Sequence, residues 1–247
     1  MDRYRLKALP IPEEEVFWRE SRETVFNIMN YPTESMEKRT ITTLKMADPY
    51  SINDFPRFSA KLIYYCGLFA GETDLALMRH LSCRAPLAVD AQGLLRKVFP
   101  DGGVRYVRWD EKAETLPLCR FFKADAAEAA FLTGIDTEEH EGRVRAAEAF
   151  LDQGAKEVVI SHHSELVAAD VSGVVAAPLR NRTLSGRTGR GDTCLASYVT
   201  ERFNKEPAES IRLAAAVTSM KLEDPGPFKK SRSEVEAFMR EFYGAAS

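Results

Sequence analysis

From about residue 60 onward the chain alternates short apolar runs with stretches of helical period, and this alternation restricts the fold more than any other feature. Leu62-Ile63-Tyr64-Tyr65-Cys66 closes on Gly67 and is followed by Leu75, Leu77, Met78 and Leu81 at helical spacing. Pro86-Leu87-Ala88-Val89 then ends in Asp90. Phe121-Phe122-Lys123-Ala124 ends in Asp125 and runs into an alanine-rich helix over 126–132, with Gly134 placed to cap it. A helix over about 138–153 puts Val144, Ala147 and Leu151 on one face. Residues 157–161 and 166–170 read as two strands joined by a short turn, His162-His163-Ser164-Glu165. Pro207 opens a helix with Ile211, Ala214, Ala215 and Thr218 inward, and Ser233, ahead of Glu236, is the expected cap of the last helix. Strands separated by helices specify an α/β fold with a doubly wound, mainly parallel sheet flanked by helices, organised as one domain. The first fifty residues break the rhythm. There Glu15-Val16-Phe17-Trp18 and Thr40-Ile41-Thr42-Thr43-Leu44 alternate with charged turns and read as short strands of an antiparallel lid or edge region over about 10–50.

In such sheets ligands bind beyond the carboxyl ends of the strands. Asp90, Asp125 and the stretch Thr188-Gly189-Arg190-Gly191-Asp192-Thr193-Cys194 all fall at such ends. Gly189 and Gly191 let backbone N–H groups crowd round an anion, and a helix starting near Gly191 turns its positive dipole end toward the same point. Leu195, Ala196, Tyr198 and Val199 supply the apolar face that such a helix needs. Asp192 then stands beside the anion, placed to accept a proton from an attacking hydroxyl, as phosphoryl transfer requires. Two plainer readings stay open at this point: a glycine-rich connecting turn, and an Asp that only caps the helix.

Composition narrows the partners. Hydrophobic residues make up 45% and charged residues 29%, which leaves no long disordered tract. The net charge of −3, with acids and bases interspersed, lacks the basic footprint of a nucleic-acid binder, so no nucleic acid is expected. No run approaches the roughly 18 apolar residues of a membrane span, so no membrane is expected, and the first residues carry no apolar leader, which makes a cytoplasmic location the expectation. The cysteines at 66, 83, 119 and 194 form no C-x-x-C pair and read as buried thiols.

Thr188-Gly189-Arg190-Gly191-Asp192 resembles the T-G-A-G-D signature of the ribokinase-like, pfkB-type carbohydrate kinases, with Arg190 in place of the usual alanine. Lys123-Ala124-Asp125-Ala126-Ala127-Glu128 resembles the family's N-x-x-E segment, with Asp125 in the Asn position. Residues 89–96 are similar to the D-x-N-x-R region, and 214–226 to the C-terminal helix and adenine-side loop. The likeness spans roughly residues 40 to 240. It implies an ATP- and Mg²⁺-dependent kinase acting on a hydroxyl of a sugar or polyol. Asp192 would be the catalytic base, and the amides of Gly189, Arg190 and Gly191 the anion hole for the ATP phosphate. Asp125 and Glu128 would order the nucleotide's Mg²⁺, with Glu128 as the residue that holds the metal, and Asp90 would reach the substrate or shape its pocket. Lys123 is a strand-end candidate without a role. The Arg190 guanidinium could pair with a phosphate or an acidic group. His162 and His163 stand where the family has a glycine-bearing turn. The family's opening strand, acidic residue and Gly-Gly segment have no counterpart in this sequence, so a shortened domain is expected, with an exposed sheet edge that a second copy of the chain, a homodimer, would cover. The competing reading is a non-catalytic nucleotide- or metabolite-binding member of the same fold.

Overall fold

A computed structural model describes residues 11–31 and 40–244. In chain order its strands are β1 (Phe26–Asn30), β2 (Thr40–Lys45), β3 (Ile63–Tyr65), β4 (Leu87–Asp90), β5 (Arg96–Val98), β6 (Val104–Tyr106), β7 (Cys119–Asp125), β8 (Glu157–Ser161), β9 (Glu165–Asp170) and β10 (Gly173–Pro178). Its helices are α1 (Leu75–Ser82), α2 (Gln92–Leu95), α3 (Lys112–Thr115), α4 (Ala126–Thr133), α5 (His140–Asp152), α6 (Arg190–Glu201), α7 (Pro207–Glu223) and α8 (Arg232–Tyr243). The main sheet has six strands in the order β10-β9-β8-β7-β4-β3. β3, β4, β7 and β8 run parallel, and β9 and β10 complete the sheet antiparallel.

The expected mainly parallel, helix-flanked α/β sheet is thus the fold. β4 and β8 are buried along their whole length, as strands covered on both faces must be. Their side chains alternate between two cores. Val89, Phe122, Val158 and Ile160 face Leu77, Met78, Leu81, Ala146 and Phe150 of α1 and α5. Ala88, Phe121 and Val159 face Leu195, Tyr198, Ile211 and Ala215 of α6 and α7. α8 adds an outer layer, burying Val235 and Phe238 against Leu213, Val217 and Met220.

The parallel strands end together at one edge of the sheet, with Asp90, Asp125 and Ser161 as their last residues. Two antiparallel hairpins, β1–β2 and β5–β6, stand beside this edge. They are stitched together by a bridge between Thr42 and Gly103, with Thr43 N donating to Gly102 O at 2.8 Å. Of the two strands expected within residues 10–50, Thr40–Leu44 falls in β2, and the one at 15–18 does not form. Glu13–Glu15 forms a single 3-10 turn, residues 16–18 form no strand, and Phe17 and Trp18 lie on the surface. Residues 1–10 and 32–39 of the region lie outside the described part. The last helix is capped by Ser231, not Ser233: Ser231 and Glu234 make the reciprocal capping pair. Cys119 and Cys194 are buried as expected, whereas Cys66 and Cys83 are exposed.

Candidate active site

The connection from β10 to α6 is tied down before it reaches the sheet edge. Ser185 N and Gly186 N donate to Leu222 O, and Lys221 Nζ donates to Gly186 O at 2.7 Å. A methyl group on Gly186 would lie 1.9 Å from the carbonyl of Asp224, so only glycine lets the two segments close. Gly189 takes the left-handed conformation, φ +84°, and turns the chain into α6 with Asp192 in its first turn. The Arg190 amide donates to Arg187 O. Tyr31, the residue after β1, meets Thr188 Oγ1 through its hydroxyl at 3.2 Å, so the β1 hairpin reaches this turn.

Beneath the start of α6 lies a buried ion pair. Lys123 Nζ donates to Asp90 Oδ2 at 2.9 Å, and Asp90 Oδ1 accepts from Gln92 N at 3.1 Å. Both residues are almost wholly buried. A methyl group on Gly191 would lie 2.7 Å from Lys123 Nζ, which places the pair directly against the helix. Burial alone would lower the Lys123 ammonium, but the carboxylates of Asp90, Glu128 and Asp125 outweigh it and hold it above its usual range.

Asp125 and Glu128 cap α4 reciprocally: Asp125 N donates to Glu128 Oε2 and Glu128 N to Asp125 Oδ1, each at 2.8 Å. Arg96 closes the group, with Nη2 at 2.9 Å from Glu128 Oε1, 3.7 Å from Asp125 Oδ2, and Nη1 donating to Gln92 Oε1. Glu128 is fully buried; burial first, and then the charge of Asp125, push its carboxyl up to about 7 against the pull of Lys123 and Arg96. Asp125, by contrast, is held below the usual range despite its burial, by Lys123, the Glu128 N–H, Arg96 and Arg190.

One cavity of about 990 Å³ joins these parts. Its walls include Gly189, Arg190, Gly191, Asp192, Asp125, Lys123 and Arg96, with Arg187, Ser161, His162 and His163. Thr40, Thr42, Arg105 and Tyr106 from the hairpins form the remaining side. The structure therefore brings Asp192, the 189–191 turn and Asp125 into one space. Asp90 and Glu128 stand behind the wall: Asp90 through Lys123, and Glu128 through Arg96 and Asp125. Arg96, Ser161 and Arg187 were not singled out as site residues by the sequence; the strand-end position of Ser161 is the signal that marks it. Among the described residues no cluster of three or more His, Cys, Asp or Glu side chains is arranged to hold a metal. Mg²⁺ does not require one, since it keeps several waters and binds through one or two carboxylates plus substrate phosphates. Asp125, whose side chain is 23% exposed and lines the cavity, fits that role.

A doubly wound sheet, a glycine turn at a helix N-terminus and a carboxylate in that helix's first turn define a phosphoryl-transfer enzyme of the small-molecule kinase class. The sequence matches the pfkB family carbohydrate kinases over residues 23–232, and the chain belongs to that family. No match was found among curated protein sequences. Among solved structures, the chain is similar to a pyrophosphate-dependent kinase in the ribokinase family complexed with a pyrophosphate analog and myo-inositol. The identity is 29% and the TM-score 0.77, over 88% of this chain and 74% of the other. A sulfate complex of a pyrophosphate-dependent kinase in the ribokinase family shares 30% identity at TM-score 0.77, over 88% and 75%. Ribokinase of Arabidopsis thaliana, complexed with ribose and ATP, shares the fold at 17% identity and TM-score 0.61, over 82% and 65%. No helix among the described residues is long and apolar enough to cross a membrane.

Proposed function

We propose that this carbohydrate kinase transfers the terminal phosphoryl group of a Mg²⁺-bound polyphosphate to a hydroxyl of a sugar or polyol, with Asp192 as the base. The observation that carries this reading is the shared cavity: Asp192 and the glycine turn face the same space as Lys123 and the polar hairpin residues. The acceptor lies under the lid, where Thr40, Thr42, Gln92 and Arg105 offer hydrogen-bonding groups to a polyhydroxylated molecule. Asp192 holds the acceptor hydroxyl and takes its proton as the oxygen attacks the terminal phosphorus. The bond from that phosphorus to the bridging oxygen breaks, and the leaving phosphate keeps the bridging oxygen with its electron pair.

The transferring group is received by the amides of Gly189 and Gly191 and by the Arg190 guanidinium, since the Arg190 amide is engaged with Arg187 O. Lys123, kept charged by Asp90, adds a fixed positive charge below it. Asp125 would hold Mg²⁺, directly or through water, with Glu128 setting its charge and position from behind. Bound there, the ion would neutralise phosphate charge.

ATP is the donor that the sequence resemblance implies, and it remains one reading. Pyrophosphate is favoured by Arg187, Arg190 and the two histidines at the phosphate end of the cavity, and by the donor of the two most similar kinases described above. β3 ends the sheet on one side and is the edge that a second copy of the chain would cover. The test is to incubate the protein and Mg²⁺ with pyrophosphate or ATP and a panel including myo-inositol and ribose, and to follow phosphomonoester by ³¹P NMR. Formation with at least one acceptor is expected; none with any donor–acceptor pair would overturn the reading.

A further inference from the structure

Lys221 carries a buried charge that the chemistry above does not use. It stands in the last turn of α7, is 2% exposed and forms no part of the cavity wall. Its Nζ donates to Gly186 O at 2.7 Å and to Asp224 O at 3.1 Å, and among the described residues no carboxylate pairs with it. Burial lowers its pKa; the charge of Asp224 raises it, although the Asp224 carboxylate is itself engaged with Lys230 Nζ at 3.1 Å. Burying an ammonium against carbonyls alone is costly, and a plain tie between two carbonyls would need only a neutral donor. What requires a reason is the place of the charge.

The segment that leads into the glycine turn is docked on the C-terminal end of α7. Ser185 N and Gly186 N both donate to Leu222 O, at 2.9 and 2.8 Å, and the Ser185 hydroxyl donates to Glu223 O. A methyl group on Gly186 would lie 2.6 Å from Lys221 O, so the segment runs tight against the helix end. Such an end carries about half a negative elementary charge on its last carbonyls. Behind a turn that has to receive a phosphoryl group, that charge repels the incoming anion. Lys221 reaches from the helix end to the turn. Its Nζ sits on the carbonyl of Asp224, and a methyl group on Gly189 would lie 3.7 Å from its Cε, so the stem passes directly behind Gly189.

We propose that Lys221 is a positioning residue for phosphoryl transfer: its ammonium offsets the negative end of α7 behind the amides of Gly189 and Gly191 and holds the 186–189 segment in the shape that receives the transferring group. This rests on the kinase reading above and adds a residue to it. Lys221 touches neither donor nor acceptor and acts through the turn.

The experiment compares the wild type, Lys221→Gln and Lys221→Ala with the donor and acceptor that the wild type turns over, in choline chloride and in ammonium chloride at equal ionic strength. Glutamine keeps an N–H donor for the carbonyls and removes the charge. Its kcat should fall about 3- to 30-fold, the effect of a charge at a helix end, with the acceptor KM unchanged. Alanine removes donor and charge together and opens a space rimmed by carbonyl oxygens, which an ammonium ion fits. Ammonium chloride should therefore restore kcat in Lys221→Ala and leave Lys221→Gln, where the space is filled, as it was. A Lys221→Gln enzyme with wild-type kcat, a Lys221→Ala enzyme that ammonium does not rescue, or equal rescue of both would overturn the proposal. If Lys221→Ala does not fold, Lys221→Gln decides alone. Calorimetry with imidodiphosphate keeps this proposal apart from the kinase reading. A wild type that binds it but phosphorylates no acceptor overturns the kinase reading; weaker binding by Lys221→Gln then upholds the role of the charge, and equal binding overturns it.

Discussion

Replacing Gly191 by alanine separates packing from helix propensity at the centre of the site. Gly191 is the second residue of α6, where alanine would ordinarily stabilise by up to about 1 kcal/mol. Here the added methyl group would meet Lys123 Nζ at 2.7 Å and Asp90 Oδ2 at 3.5 Å. Lys123 is 4% exposed and its Nζ is tied to Asp90 Oδ2 at 2.9 Å, so moving it aside stretches that buried ion pair. Overpacking of this kind costs about 1–3 kcal/mol, and pulling Lys123 away from Asp90 adds the cost of an unpaired buried charge. The balance is a net loss of about 1–2 kcal/mol, which in a chain of this size lowers the melting temperature by roughly 2–8 °C. Thermal unfolding followed by circular dichroism measures it for Gly191→Ala, Lys123→Ala and the double variant. In the Lys123→Ala background the clash is gone, so Gly191→Ala should turn neutral or stabilising. Gly189→Ala is the control: its φ of +84° costs about 1–2 kcal/mol in either background, because the nearest obstacle, Lys221 Cε, is 3.7 Å away. A Gly191→Ala protein that melts higher than the wild type would refute the placement of the ion pair.

Two further outcomes test the surroundings. Glu157 is fully buried and accepts from Arg202 Nε at 2.7 Å and from the Tyr198 hydroxyl, so Glu157→Ala should cost about 3–5 kcal/mol in urea unfolding by stranding Arg202 and Tyr198; a loss below about 1 kcal/mol would contradict the network. His162 is held down to about 4 by burial, then by His163, Arg143 and Arg190. Its unfolded form takes a proton near pH 6.5 while the folded form stays neutral, so stability should fall as pH drops from about 6.5 to about 4, and His162→Gln should flatten that slope. The effect is moderated by the ring's partial exposure to water, and an unchanged slope in the variant would assign the pH dependence to another group.

The legible parts of the fold were those whose pattern is set by burial. β4, β7 and β8 read as apolar runs because both their faces are covered, and α4 and α7 carried glycine and proline signals at their ends. Strands whose stability comes from pairing were harder to see. β10 is an edge strand whose residues are mostly exposed, and it is bounded by Gly173 and Pro178, residue types depleted in strands. The β5–β6 hairpin carries Arg96, Lys97 and Arg105 in its strands, and its turn signal, Pro100-Asp101-Gly102, stands between runs too short to stand out. Trp18 and Phe17 misled because apolar content without a partner strand does not make a strand. The cap of α8 was ambiguous for a specific reason: Ser231 with Glu234 and Ser233 with Glu236 both have capping-box spacing, and only packing selects the first.

At the site, Asp192 and the glycine turn were readable because the chemistry is local to seven residues. Asp125 and Glu128 were readable as a pair, but their partner Arg96 lies 32 residues from Glu128, and its ion pair exists only once β5 and α4 are brought together. The same holds for Lys123 and Asp90, which lie 33 residues apart and face each other only because β4 and β7 pair in parallel register.

The central claim is that the carboxylate of Asp192 acts as the base for an acceptor hydroxyl held in the cavity. Asp192→Asn keeps the shape and removes the base. With the donor and acceptor that the wild type turns over, kcat should fall about 10²- to 10⁴-fold while imidodiphosphate binding stays within a few-fold of wild type. A variant that transfers phosphate at the wild-type rate would contradict the claim.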